Sequence, residues 1–161
     1  MKIYLAGPVG FSAAGRDFHD HRLIPELEQA GHTVLDPWKL TDPEKVAAVR
    51  GLPSGPDRRE AWRVLNPEIG RSNHAGLDRC DAVVAVLDGV DVDSGTASEI
   101  GYAFARGKPI VGYRGDLRLS ADNEALTVNL QVEYFIRASS GDIVSTLDQL
   151  SGALAGLKLA Q

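Results

Sequence analysis

The chain has 161 residues, 43% of them hydrophobic and 24% charged, with a formal net charge of −5. That length suits one soluble domain over residues 1–161, and no run approaches the roughly 18 apolar residues of a membrane span. The acidic balance, with scattered lysines and arginines, argues against a nucleic-acid polymer as partner.

The apolar start, Ile3-Tyr4-Leu5-Ala6, is too short for a signal peptide, which leads us to expect a cytoplasmic protein. Ile3–Ala6 reads as a first strand stopped by Gly7-Pro8. A helical pattern runs from about Ala14 to Ala30, with Phe18, Leu23, Ile24 and Leu27 on one side and Gly31 as its stop. Pro25 predicts a kink or restart within it. His32–Leu35 is the second strand, closed by Asp36-Pro37.

Residues 38–57 are broken by Pro43, Gly51, Pro53, Gly55 and Pro56, with a short capped helix expected over Asp42–Arg50. A longer helix is predicted over Arg58–Arg79, restarting at Pro67. Cys80, the single cysteine, excludes an internal disulfide and a cysteine-rich metal site; it is expected to sit inside as a small apolar residue. Ala82–Leu87 reads as a buried third strand and Lys108–Tyr113 as the fourth, with a helix over Thr96–Arg106 between them. A weaker strand is expected near Tyr134–Arg137 and a last helix over Asp142–Leu150, extended or frayed from Ser151 onward. Alternating strands and helices predict an α/β fold: a doubly wound, flavodoxin-like parallel sheet of five strands, order 2-1-3-4-5, with helices on both faces.

Open α/β sheets place ligands beyond the carboxyl ends of their strands. Asp93-Ser94-Gly95-Thr96-Ala97-Ser98-Glu99 lies there, after the third strand, and holds two carboxylates. Paired carboxylates serve glycosyl chemistry, one as nucleophile and the other in proton or hydroxyl contacts. Gly95 and Ala97 leave room for a ligand. The same stretch also fits a capping box, Thr96 and Glu99 satisfying the first helical amides. A helix N-terminus favours a carboxylate anion, as a nucleophile requires near neutral pH.

At the end of the first strand, Gly7 either lets backbone approach a ligand or only ends the strand; Tyr4 either reaches a carboxylate or is a buried ring. No dinucleotide fingerprint appears and no metal-ligand cluster is visible, so no cofactor and no metal are expected. Asn73 and Asp78 share a helix whose spacing separates their directions, so at most one faces a site there. Asn129 reads as a loop amide at a strand start or as a hydrogen-bonding group for sugar or base.

In order, Ile3-Tyr4-Leu5-Ala6-Gly7-Pro8, Cys80-Asp81-Ala82-Val83-Val84-Ala85-Val86-Leu87, Asp93 to Gly101 and Asn129-Leu130-Gln131 resemble the nucleoside 2-deoxyribosyltransferase family. The resemblance spans most of residues 2–137. It implies a cytoplasmic enzyme of nucleoside metabolism, purine salvage included, acting on small-molecule nucleosides and nucleobases. It also implies a homo-oligomer whose active site is shared between subunits. Glu99 would be the nucleophile, held by Tyr4, with Asp93 contacting the sugar or base and helping proton traffic. Asn129 and Gln131 would reach the sugar across the interface, and Gly7 and Gly95 would line the site. Asn73 stands where some members carry an aspartate, and an amide cannot deliver a proton as an acid does. The Pro- and Arg-rich stretch 38–66 is longer than expected and reads as a possible lid or insertion. Its Arg58, Arg59 and Arg63, with Arg71, are candidate contacts for a 5′-phosphate, beside solvation as the ordinary role. Transfer to a second base, hydrolysis of a nucleoside or nucleotide, and simple nucleoside binding all remain compatible with the residues.

Overall fold

Runs of small and β-branched residues favour strands covered on both faces. The computed structural model describes residues 1–157 and contains such a sheet. Its five strands are β1 (Lys2–Ala6), β2 (Thr33–Leu35), β3 (Ala82–Val86), β4 (Ile110–Tyr113) and β5 (Ile143–Val144). All pairings are parallel, in the order β2-β1-β3-β4-β5, as expected. Tyr4 stands beside Leu35 on one side and Val83 on the other.

Side chains alternate across the sheet. Tyr4, Ala6, Val83 and Ala85 enter one core with Ile100 and Ile136; Ile3, Leu5, Val84 and Val86 enter the other with Leu23, Leu27 and Leu150. Each fully buried valine, leucine or isoleucine contributes roughly 1.5–3 kcal/mol.

The first helical region runs as α1 (Ala13–Phe18), a π-helical stretch (His19–Leu23) and α2 (Ile24–Gln29). Pro25 lies in the first turn of α2, at the restart its position predicts. The Ile24 amide bonds His19 O, five residues back, and this widened turn accommodates the proline ring. After β2 come α3 (Pro37–Leu40), α4 (Pro43–Gly51) and α5 (Pro56–Arg79). Asp42 caps α4 as expected, its Oδ1 accepting from the Glu44 amide. The predicted restart at Pro67 does not occur: α5 carries the proline inside one helix.

Helix α6 (Ser94–Ala105) follows β3, α7 (Leu130–Ala138) follows β4, and α8 (Leu147–Ala155) follows β5. Two expectations fail here. Tyr134–Arg137 is the end of α7, because Asn129 starts a helix whose Val132, Glu133 and Ile136 face inward together. The predicted helix over Asp142–Leu150 instead begins with strand β5, and α8 starts after its cap, Thr146. The expected extension from Ser151 holds to Ala155, and its last part, 158–161, lies outside the described residues. Cys80 is buried and free, its Sγ hydrogen-bonding Leu77 O at 3.1 Å. Among the described residues no helix is long and apolar enough to cross a membrane.

Candidate active site

In this order the chain leaves β1 toward β2 on one side and β3 toward β4 on the other, opening a crevice at the strands' carboxyl ends. Strand β1 brings Tyr4 and Gly7 to that crevice. The turn after β3 brings Asp93, Gly95 and, one turn into α6, Glu99. The Tyr4 hydroxyl donates to Glu99 Oε1 at 2.5 Å.

The capping-box reading of Glu99 is corrected by this bond and by Asp93. Asp93 is the N-cap of α6, its Oδ2 accepting from the Thr96 amide at 3.0 Å and from Thr96 Oγ1 at 3.3 Å. With the cap occupied by Asp93, Glu99 turns its carboxylate into the crevice. Asp93 Oδ1 makes no hydrogen bond among the described residues. A Cβ at Gly95 would stand 3.0 Å from Asp93 Oδ2, so a glycine there leaves the carboxylate unobstructed.

Glu99, Asp93, Gly95, Gly7 and Asn73 together line a cavity of about 410 Å³. Phe11, Pro37, Trp38, Asn66, Ile69 and Thr96 complete it. Asn66, Ile69 and Asn73 are spaced i, i+3 and i+7, one face of α5. That spacing is visible in the sequence and marks Asn66 and Ile69, which belong to none of the motifs above. Asn73, rather than Asp78, faces the cavity; its Oδ1 is buried without a hydrogen-bond partner. Asp78 turns away, accepting from Tyr102 and pairing with Arg106.

The electrostatics differ from the helix-terminus expectation. Burial pushes the Glu99 carboxyl above its ordinary value of 4.5, the negative charge of Asp93 adds to that rise, and the Tyr4 hydrogen bond pulls it back. Glu99 sits past the first helical turn, where the N-terminal field has weakened, so desolvation dominates. Tyr4 is pushed well above the usual phenol range by burial and by the Glu99 charge, so it stays protonated as a donor.

Asn129 and Gln131 do not line this cavity. Asn129 caps α7, Oδ1 accepting from the Gln131 and Val132 amides, and lines a separate surface hollow with Val90, Asp91, Leu119, Ser120 and Asp122. Val90 and Leu119 in its wall, and Leu130 next to Asn129, are exposed apolar side chains. Arg58, Arg59, Arg63 and Arg71 are also absent from the cavity wall. Arg58 bonds Leu52 O and Ser54 Oγ, and Arg63 bonds Glu60.

Comparison with solved structures gives the same fold. A conserved protein from Enterococcus faecalis V583 superposes with a TM-score of 0.69 at 24% identity, over 96% of this chain and 97% of that one. A 2-deoxyribosyltransferase from Bacillus psychrosaccharolyticus matches over 100% of both chains, with a TM-score of 0.66 and 20% identity. A CMP N-glycosidase from Clostridium botulinum gives 0.54 at 20% identity, over 96% of this chain and 98% of that one. Over 47 residues the chain is 45% identical to an uncharacterised protein of Schizosaccharomyces pombe, a match covering 27% of this chain and 22% of that protein. The sequence profile described as nucleoside 2-deoxyribosyltransferase matches residues 3–131, which contain β1, α6 and every residue of the crevice. The chain therefore belongs to the nucleoside 2-deoxyribosyltransferase family.

Proposed function

We propose that this protein moves 2-deoxyribose from one nucleobase to another through a covalent ester on Glu99. The observation that carries the reading is the hydrogen bond from buried Tyr4 to Glu99, a residue that lines one cavity with Asp93 and Asn73. Cleaving an N-glycosidic bond builds positive charge on the sugar ring, which an adjacent carboxylate stabilises. A Glu99 oxygen attacks C1′, the C1′–N bond breaks, and its electron pair leaves with the base. The leaving nitrogen takes up a proton; Asp93 or water supplies it, since the Asn73 amide can only hydrogen-bond. Typical general-acid assistance of this kind gives roughly 10²–10⁴-fold in rate.

A nitrogen of the second base then attacks C1′ of the ester, gives up its ring proton to Asp93 or water, and releases the Glu99 carboxylate. Two inversions give net retention and ping-pong kinetics. Tyr4 orients Glu99 throughout. Its hydroxyl supports the anion and cannot itself become a competing charge, because burial keeps it protonated. The stretch 38–66 contributes Trp38 to the cavity wall and acts as a cover over the base. Asn129, with Gln131, completes the site of a neighbouring subunit in a homo-oligomer. Their absence from their own cavity and the exposed apolar side chains around Asn129 support that arrangement.

A second reading is hydrolysis, with water attacking the glycosyl ester. The likeness of fold to a CMP N-glycosidase favours considering it. Chromatography of the enzyme with deoxyinosine and excess adenine separates the two. Deoxyadenosine plus hypoxanthine is the expected result. Free deoxyribose with no new nucleoside establishes the hydrolase instead.

A further inference from the structure

Beside the reaction cavity lies a larger one, of about 670 Å³, formed by the π-helical turn, α3, α4 and α5. Pro37, Trp38 and Ile69 line both cavities, while Glu99 and Asp93 line only the smaller one. The mechanism above uses nothing from the larger cavity except Trp38. Its composition is nevertheless that of a small-molecule site: mostly apolar walls around a few convergent polar atoms.

Three of those atoms are unusual. His19, Asp36 and Thr41 are at most 5% exposed, yet His19 Nε2, Asp36 Oδ2 and Thr41 Oγ1 have no hydrogen-bond partner. Buried polar groups of native proteins are generally paired. The rest of each side chain is held in place. His19 Nδ1 bonds Asp20 at 3.0 Å, and Asp36 Oδ1 accepts from the Trp38 amide at 3.0 Å. His19 Nε2 lies 3.5 Å from Asp36 Oδ1 and Lys39 Nζ lies 3.5 Å from Asp36 Oδ2, both beyond hydrogen-bonding geometry.

Burial draws the His19 imidazole down, but the Nδ1 bond to Asp20 and the negative charges of Asp36 and Asp20 outweigh it and raise its pKa. With Nδ1 held by Asp20, Nε2 is left to a ligand, beside the acceptor-only carboxylate of Asp36. That pair complements a heterocycle edge that sets a ring N–H or amino group against Asp36 and a ring nitrogen against His19. The walls add both tryptophans of the chain, Trp38 and Trp62, and indole faces are good partners for flat rings.

We propose that the larger cavity is a second binding site for a nucleobase, read at its edge by His19 Nε2 and Asp36 Oδ2 and at a further polar group by Thr41. The choice of a nucleobase over another flat heterocycle rests on the transferase reading, in which a free base leaves and another arrives through the neighbouring cavity. The second site holds a base on the far side of Trp38 while the sugar stays on Glu99.

The test uses the Trp38→Phe variant, whose remaining tryptophan, Trp62, lines the larger cavity and not the smaller. Adenine is titrated while Trp62 fluorescence is excited at wavelengths adenine does not absorb. A saturable change is expected, with adenine binding at least about tenfold weaker when Ala47→Phe fills the cavity or Thr41→Val removes a hydrogen bond. Gly95→Val, which crowds the reaction cavity only, should leave the signal in place. No saturable change, or one that Gly95→Val abolishes and Ala47→Phe does not affect, overturns the proposal. Base exchange by the unmodified enzyme without adenine binding at Trp62 overturns the second site alone; binding without exchange overturns the transferase reading alone.

Discussion

Gly76 on α5 lies against the ring of Tyr4: a Cβ at Gly76 would stand 3.0 Å from Tyr4 Cε2 and 2.7 Å from Leu40 Cδ1. The glycine lets the helix approach β1 closely enough to hold the ring that orients Glu99. Gly76→Ala gains helix propensity of about 1 kcal/mol and loses about 1–3 kcal/mol to overpacking. The net expectation is a loss of about 1 kcal/mol in chemical denaturation, with a disproportionate fall in kcat as Tyr4 is displaced. A variant with full activity would show that Gly76 does not position Tyr4.

Glu99→Ala should lower base exchange by on the order of 10⁴-fold or more, the scale seen when a nucleophile is removed. Intact-protein mass spectrometry should find the deoxyribosyl adduct on the unmodified chain and none on the variant. Substantial turnover by Glu99→Ala would exclude Glu99 as nucleophile.

The raised Glu99 pKa fixes a sign for pH dependence. If Glu99 attacks as proposed it must be ionised, so the acidic limb of kcat/KM should lie above 4.5. Tyr4→Phe removes the one hydrogen bond that lowers this pKa, and should move the limb further upward while reducing kcat. A limb that stays put in Tyr4→Phe would separate the two residues functionally.

Stability follows the same linkage. A carboxyl whose pKa is higher folded than unfolded contributes fully below the unfolded value, and the contribution is lost as pH rises through the folded value. Glu99→Gln should therefore raise Tm at neutral pH, with the gain shrinking as pH falls through the raised folded value and gone below about 4.5. Thermal melts across that range decide it; an unchanged or lowered Tm at neutral pH counts against a buried carboxylate.

Asn129→Asp keeps a capping oxygen for α7 but removes the amide, so folding should change little while activity falls. With an active site shared between subunits, mixing it with Glu99→Gln after dissociation and reassociation should restore activity. In a dimer about one quarter of the unmodified level is expected from random pairing. No recovery in mixed assemblies would place each site within one chain.

The sheet order was legible because long-range placement here follows local pattern. Strands β1, β3 and β4 are short apolar runs between turn residues, and right-handed crossovers leave few parallel arrangements. The Asp93–Glu99 loop was legible for the same reason, since both carboxylates lie on one strand-to-helix turn. Tyr134–Arg137 misled because Tyr-Phe-Ile favours strands while the helical face of α7 appears only over a longer window starting at Asn129.

By itself, then, the sequence determined the α/β class, the strand order and the turn that carries Asp93 and Glu99, all consequences of periodicity and local chemistry. Tertiary structure decided which partner each side chain meets: Tyr4 for Glu99, 95 positions away, Asp93 rather than Thr96 as the cap, and Asn73 with Trp38 across the cavity. Those choices depend on burial, register and helix rotation, which arise only when distant segments are packed together.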